Sequence, residues 1–126
     1  MAKVLVAEDD KYLASAYRVK LTKAGYELKI ASDGQEALEI LKTFTPDVML
    51  LDLIMPVRDG FSVLEEIKKN PSLKNIPIII TSNLSQKEDI DRGIALGASD
   101  YIIKSQMPIS VVLAKIQKHL ESKPQE

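Results

Sequence analysis

Short apolar runs alternate with longer amphipathic stretches along the whole chain. Each run has the length of a β-strand and is bounded by polar or turn-forming residues, which is typical of strands buried in a parallel sheet. The second run is more amphipathic than the others. We predict strands at Val4–Ala7, Glu27–Ala31, Val48–Leu51, Ile78–Thr81 and Tyr101–Ile103.

The stretches between these runs repeat apolar residues at the spacing of amphipathic helices. Residues that favour helix termini stand at their borders. The predicted starts are Asp10 as a cap for a helix from Lys11, Ser32 with Gln35 as a capping box, Asp59, Ser85 with Glu88 as a second capping box, and Pro108. The predicted ends are Ala24 before Gly25, Asn70 before Pro71, and Gly97.

Five strands alternating with five helices predict an α/β fold. Its sheet should be parallel and doubly wound, with right-handed crossovers and helices on both faces. The 126 residues fit one domain. We expect that domain to span 1–121, followed by a polar, frayed tail at 122–126.

Composition excludes several classes of function. Hydrophobic residues make up 45% and charged residues 28%, and the formal net charge is −1. No strongly basic surface favours nucleic-acid binding. The chain has no cysteine, which excludes disulfides, thiol catalysis and cysteine-ligated metals. No segment approaches the ~20 apolar residues of a membrane span, and no leader pattern precedes the first strand, so we expect a cytoplasmic protein without membrane contact.

Polar residues follow the predicted strands. Because parallel strands end at one edge of a sheet, Glu8, Asp9, Asp52, Ser82 and Lys104 should converge. Each pair of carboxylates at ~4 Å costs a few kcal/mol at an effective dielectric near 20. A hard divalent cation or the lysine would relieve that repulsion. Such a set is suited to phosphoryl chemistry, with a carboxylate as the acceptor.

Four motifs, in order and covering essentially the whole chain, resemble the receiver domain of two-component response regulators, in its single-domain, chemotaxis-regulator-like form. Glu8-Asp9 resembles the family's acidic pair. The run from Asp52 through Met55-Pro56 to Asp59-Gly60 resembles its phosphoacceptor loop. The run from Ile76 to Ser82 resembles the family's fourth strand with its switch hydroxyl. The run from Gly97 to Lys104 resembles the segment that ends in the family lysine.

The resemblance implies a flavodoxin-like (βα)5 fold with strand order 2-1-3-4-5. It implies that Asp52 accepts a phosphoryl group with help from Lys104 and Ser82, and that Ser82 and Tyr101 form the switch. The implied cofactor is Mg²⁺, or another divalent cation such as Mn²⁺. Its implied ligands are Asp9, Asp52, the Ile54 backbone carbonyl, and Glu8 through a water molecule.

The resemblance also implies partners. The phosphodonor would be the phosphohistidine of a sensor histidine kinase or a phosphotransfer protein. A downstream protein would bind the face formed by the fourth helix, fifth strand and fifth helix, roughly Ser85 to Leu120. Nothing in residues 122–126 resembles an output domain, so we expect output through protein contact, unless the chain is a fragment of a longer regulator. We expect no turnover enzyme, only self-catalysed acceptance and slow autodephosphorylation.

Three residues depart from the family pattern. Ser105 replaces the proline that usually follows the lysine in a cis peptide, and we expect a trans bond with a rearranged loop because a non-proline cis bond costs ~3 kcal/mol. Asn83 replaces a small residue after the switch hydroxyl, where it would narrow access or hydrogen-bond near the phosphoryl group. Ile54 replaces a residue that is often polar. An apolar side chain cannot orient water, so we predict a long-lived aspartyl phosphate.

Two other functions compete with this interpretation. A haloacid-dehalogenase-like phosphatase needs a second acid two residues after the nucleophile, and Ile54 stands there. Such an enzyme also needs an insertion to bind its substrate. A flavodoxin-like flavin binder needs a phosphate-cradling loop after the first strand, but Glu8-Asp9-Asp10 would repel phosphate without a metal.

Overall fold

A computed structural model describes residues 1–121 of the chain. The predicted tail at 122–126 lies outside these residues. The strands are β1 (Lys3–Ala7), β2 (Glu27–Ala31), β3 (Val48–Leu51), β4 (Ile78–Ser82) and β5 (Asp100–Ile103). The helices are α1 (Lys11–Lys23), α2 (Gly34–Ile40), α3 (Gly60–Lys69), α4 (Lys87–Ala95) and α5 (Ile109–Glu121), and a single 3₁₀ turn spans Lys104–Gln106.

The strands form one parallel sheet in the order β2-β1-β3-β4-β5. This order confirms the predicted doubly wound α/β fold. Ala7 pairs with Leu51 at the end of β1 and β3, and Ser82 pairs with Ile103 at the end of β4 and β5. The residues after these strands therefore meet at one edge of the sheet.

Alternate residues of the central strands pack on opposite faces. Met49 and Leu51 join a core with α2 and α3, while Val48 and Leu50 join a second core with α1 and α5. All four side chains of β3 are fully buried. At ~25 cal/mol per Å² of apolar surface, each such side chain contributes roughly 1.5–3 kcal/mol to folding. The apolar run before Asp52 thus makes β3 the centre of the fold.

Aspartates cap three of the helices. Asp10 caps α1 by accepting hydrogen bonds from the N–H groups of Tyr12 and Leu13, as predicted. Asp59 caps α3 by accepting from Ser62 N at 2.9 Å, also as predicted. These caps fix where the chain turns away from the edge of the sheet that carries the polar residues.

Two predicted capping boxes are wrong. In α2 the box is shifted by one residue, because Asp33 accepts from Glu36 N and Glu36 Oε1 accepts from Ser32 N. In α4 the cap is Gln86, without a side-chain hydrogen bond, so Ser85 does not begin the helix. Pro108 directly precedes α5 rather than opening it, and its carbonyl accepts from Val111 N.

The peptide bond between Lys104 and Ser105 is trans, since no cis bond occurs within residues 1–121. The chain there forms the 3₁₀ turn Lys104–Gln106. Across the part of the chain that is described, no helix combines the length and apolar character needed to span a bilayer.

Candidate phosphoacceptor site

The first two carboxylates of the site are placed by the ends of β1 and β3. Ala7 O accepts from Asp52 N at 3.0 Å, and Glu8 N donates to Ala31 O at 2.9 Å. Backbone bonds thus hold both acids at the sheet edge. Glu8 and Asp52 are almost completely buried, at 2% and 3% exposure, whereas Asp9 is exposed. Two charged groups buried side by side require a partner.

That partner is Lys104, which directly follows β5. Its Nζ lies 2.8 Å from Asp52 Oδ2 and 2.7 Å from Glu8 Oε1. The contact with Asp52 is a hydrogen bond, while the contact with Glu8 is ionic, because Glu8 Oε1 meets no donor in hydrogen-bonding geometry. The other Glu8 oxygen accepts from Asp10 N at 3.0 Å. One ammonium group therefore bridges two buried acids.

The sequence prediction did not include the Glu8–Lys104 ion pair. A signal for it was present, because a glutamate directly after a fully buried strand needs a cation or several donors nearby.

Burial dominates the protonation behaviour of this cluster. Burial raises the pKa of Asp52 and of Glu8, and outweighs the lowering effect of Lys104 on each. Burial would lower the pKa of Lys104, but its contacts with Asp52 and Glu8 outweigh that effect and raise it. The lysine is thus charged at neutral pH.

The acidic residues fit a divalent metal ion. Glu8, Asp9 and Asp52 can each present a carboxylate oxygen with all three within 4.8 Å of one another. The buried Glu8 Oε1 still lacks a hydrogen bond, and one lysine leaves the cluster with an excess of negative charge. Oxygen donors of this kind suit a hard cation such as Mg²⁺.

The loop after Asp52 shapes the site from one side. Ile54 N donates to Asp52 Oδ1 at 3.2 Å, and the Ile54 side chain is 59% exposed at the mouth of the cleft. Its carbonyl remains a predicted metal ligand. Asp10, in contrast, serves as the cap of α1.

The same loop ends in a close backbone contact. A Cβ atom on Gly60 would lie 2.3 Å from Asp52 O and 2.7 Å from Leu53 Cα. Gly60 therefore allows the start of α3 to pack directly against the backbone of Asp52 and Leu53.

The two predicted switch residues, Ser82 and Tyr101, both form hydrogen bonds with the backbone of Leu84. Ser82 is fully buried at the end of β4, and its hydroxyl accepts from Leu84 N at 3.2 Å. The Tyr101 hydroxyl donates to Leu84 O at 2.6 Å. Tyr101 itself lies outside the acidic cleft and packs beside Gly93 of α4. The two side chains are thus linked through the N–H and C=O groups of Leu84, which the sequence did not indicate.

Solved structures with this fold include receiver domains. The chain aligns with the receiver domain of Francisella response regulator 1452 at 34% identity and a TM-score of 0.87, over 96% of this chain and 98% of that one. It aligns with the Vibrio cholerae chemotaxis protein CheY4 at 31% identity and a TM-score of 0.88, over 95% and 99% of the two chains.

Residues 4–117 match the family described as the response regulator receiver domain. The chain belongs to that family, and is thus a receiver domain of two-component signalling. Its acidic pocket is of the kind that typically binds a divalent metal in receiver domains.

Curated relatives are longer than this chain. A probable transcriptional regulator ycf27 from Porphyridium aerugineum is 37% identical over 122 residues, which are 92% of this chain and 50% of that protein. A probable cyclic di-GMP phosphodiesterase from Vibrio cholerae is 41% identical over 100 residues, 78% of this chain and 22% of that protein. The chain spans half or less of these relatives.

Proposed function

We propose that Asp52 accepts a phosphoryl group from the phosphohistidine of a sensor histidine kinase or phosphotransfer protein. The observation that carries this proposal is the buried Asp52 carboxylate, hydrogen-bonded to Lys104 inside a cluster of three acids. A carboxylate oxygen of Asp52 forms the new P–O bond as the P–N bond to the imidazole breaks, and the imidazole takes up a proton. The product is an aspartyl phosphate.

Each neighbouring residue has a defined part in the transfer. The carboxylates of Asp9 and Asp52 and the carbonyl of Ile54, with Glu8 through water, would hold Mg²⁺ or Mn²⁺, which neutralises phosphoryl oxygens when bound. Lys104 leaves its contact with Asp52 to pair with the arriving group, and Ser82 donates its hydroxyl to a phosphoryl oxygen.

Incubation with acetyl phosphate and Mg²⁺, followed by intact-mass measurement, tests the proposal. We expect a gain of one phosphoryl group per chain and complete loss of that gain in Asp52→Asn. Asp59→Asn is the matched control, since this acid lies in the same loop, caps α3, and can still cap as asparagine. Uptake by Asp52→Asn would contradict the assignment.

The chain is proposed to act as a switch and not as a turnover enzyme. No acid stands two residues after Asp52, where a phosphatase of the haloacid-dehalogenase kind needs one; Ile54 occupies that position. Steady release of phosphate from small phosphate esters at many turnovers per chain would instead support the enzyme alternative.

The aspartyl phosphate is proposed to be long-lived. The exposed Ile54 side chain at the cleft mouth offers no group to orient an attacking water. We expect Ile54→Gln to shorten the lifetime severalfold, followed by loss of the phosphoryl mass after desalting. Loss of the phosphoryl group from the parent protein within about a minute at neutral pH would contradict this, because it would require a group that orients the attacking water.

The output surface is proposed to be the face formed by α4, β5 and α5. Its support is the Leu84 backbone unit, which contacts both Ser82 and Tyr101. When Ser82 turns its hydroxyl toward the phosphoryl group, Leu84 N loses a partner and the Tyr101 environment changes. This is a shift between two packings of the same residues.

A pull-down with and without beryllofluoride tests that face and identifies the downstream protein. We expect state-dependent capture by the parent, and a changed affinity for Tyr101→Ala, with phosphorylation retained. Tyr101→Phe isolates the hydroxyl that reaches Leu84. Equal capture in both states by the parent protein would contradict the switch.

A further inference from the structure

A side chain ties the loop after β4 to the turn after β5. Asn83 Oδ1 accepts a hydrogen bond from the backbone N–H of Ser105 at 2.9 Å, across 22 positions of sequence. The β4–β5 ladder ends one residue earlier on the first strand, where Ser82 pairs with Ile103. The bond therefore extends the connection between the two strands beyond the sheet itself.

The hydrogen bond from Ser105 supplies a cap to a turn that has no other side-chain cap. Lys104–Gln106 is a single 3₁₀ turn, and Ile103 before it provides no side-chain cap. The first N–H groups of a helical turn have no partner within the turn. An N–H group can only donate, so the atom of Asn83 that faces Ser105 is its carbonyl oxygen. Asn83 thus caps the lysine turn from the loop after β4.

The position of that turn determines where the Lys104 ammonium lies. Its Nζ lies within 2.8 Å of both Asp52 and Glu8, at the end of a flexible four-carbon side chain. Such a side chain holds one position only if its backbone is fixed. The ladder fixes the residue before Lys104, and the bond to Asn83 fixes the residue after it.

We propose that Asn83 is a positioning residue for Lys104, and that it acts through the backbone of Ser105. It holds the ammonium beside Asp52, so that Lys104 only has to exchange its contact with the carboxylate for one with a phosphoryl oxygen when the group arrives. Asn83 and Ser105 are two of the three departures from the family pattern, and they are the two ends of one hydrogen bond. A proline at position 105 could not donate it. This inference rests on the proposed phosphoryl transfer.

A steric role for Asn83 is the competing explanation, because its side chain lines the cleft together with Asp52, Ile54 and Lys104. Two substitutions separate the roles. Asn83→Ala removes both the bond and the bulk, whereas Asn83→Leu removes the bond and keeps the bulk. Gln106→Ala is the matched control, since Gln106 is exposed in the same turn.

The first measurement is the rate of phosphorylation by acetyl phosphate. If Asn83 positions Lys104, both Asn83 variants slow by a similar factor, about three- to tenfold for one hydrogen bond, and Gln106→Ala is unchanged. If Asn83 → Ala is faster than the parent while Asn83→Leu is unchanged, the positioning role is wrong and Asn83 is a steric barrier. Phosphorylation at the parent rate in both Asn83 variants would also overturn the positioning role.

The second measurement is amide hydrogen exchange at Ser105 without donor or metal. We expect the Ser105 amide to be protected in the parent and in Gln106→Ala, and to exchange about tenfold faster in both Asn83 variants. Unchanged exchange would show that the bond does not form in solution. If the parent takes up no phosphoryl group while its Ser105 amide is protected, the proposed function fails and the contact itself stands.

Discussion

Helices α3 and α4 are neighbours on the same face of the sheet, but they are held in different ways. Asp59 caps α3 with its side chain, and the helix buries Phe61, Val63, Leu64 and Ile67 in the core. The cap of α4 makes no side-chain hydrogen bond, and Gly93 is the one buried residue of that helix. Arg92 connects the two helices by lying 4.0 Å from the centre of the Phe61 ring.

In the proposed function, this difference would separate the reacting residue from the output surface. Helix α3 begins at the acceptor loop, where a fixed backbone keeps Asp52 in place. Helix α4 packs beside Tyr101 and follows the loop 83–86, which contains Leu84. Elements with few buried contacts open at lower free energy than core elements. We infer that the fold places its rigid helix beside Asp52, the proposed phosphoacceptor, and its weakly held helix beside the proposed output surface.

The largest expected effect comes from adding one methyl group to each helix. In Gly60→Ala the new Cβ would overlap backbone atoms of Asp52 and Leu53, so we expect a loss of about 3 kcal/mol in the free energy of unfolding. In Gly93→Ala the Cβ would meet the end of the Ile80 side chain at 2.6 Å, which can rotate away. Alanine also favours a helix over glycine by ~1 kcal/mol. We expect a net change within about 1 kcal/mol.

Urea unfolding of the two variants beside the parent measures this pair. Equal losses in both would mean that α4 is packed as rigidly as α3, and the contrast between the helices would fail.

Amide exchange measures the same contrast without substitution. We expect the amides of α4 to exchange roughly tenfold or more faster than the central amides of α3, because opening α4 exposes little apolar surface. Beryllofluoride with Mg²⁺ should change the protection of amides against exchange more in α4 and in the loop 83–86 than in α3. Matching protection in the two helices, with and without the analogue, would contradict the inference.

Charge at Asp52 should lower stability when no metal is bound. Burial raises the pKa of Asp52 above the ordinary 3.8, so at a pH between the unfolded and native pKa values the native state holds a proton that the unfolded state has released. Stability from this group is present below the unfolded pKa and is lost as pH rises through the higher native pKa. We therefore expect Asp52→Asn to be more stable than the parent at pH 7, by on the order of 1 kcal/mol.

Melting curves in a chelator from pH 4 to pH 8 test this prediction. The advantage of Asp52→Asn should grow with pH across the window between the two pKa values, and Mg²⁺ should reduce it by stabilising the parent. A constant difference at every pH would show that the carboxylate charge is not its cause.

The smallest expected effect lies in the acceptor loop. Val57 has φ = 69°, and Arg58 N donates to Pro56 O around it at 2.8 Å, which defines a γ-turn with positive φ. This conformation is strained for a β-branched residue. We expect Val57→Gly to stabilise the protein by about 0.5–1 kcal/mol. The matched control is Val19→Gly, at an exposed valine inside α1, which should destabilise.

The sequence predicts the fold because its strongest signals are local and mutually consistent. Strand β3 has the predicted bounds, since four successive apolar residues followed by an acid leave little choice of register. The sheet edge then brings Glu8, Asp9, Asp52 and Lys104 together, because parallel strands end on one side.

Features that depend on contacts between distant segments were not predictable. At the start of α2, Ser32 and Asp33 both offer an oxygen, and spacing cannot choose between them. A Cβ on Gly34 would lie 2.1 Å from Arg58 O, so packing against the acceptor loop fixes that residue at the start of the helix and selects Asp33 as the cap. The Asn83–Ser105 bond and the Leu84 bridge likewise join segments whose proximity only the folded chain defines.

The last residues of the β4–β5 ladder define the distance between the two proposed switch residues, Ser82 and Tyr101. Ser82 pairs with Ile103, and Tyr101 lies two residues earlier on the same strand, paired with Ile80. At ~3.3 Å per residue, these positions are only ~7 Å apart along the sheet. A hydrogen-bonded strand does not lengthen on that scale, so in the proposed switch a change at Asp52 would reach Tyr101 through side chains and the backbone N–H and C=O groups of Leu84, and not along the strand. The sheet then acts as a fixed frame of reference, against which the movements at its rim are defined.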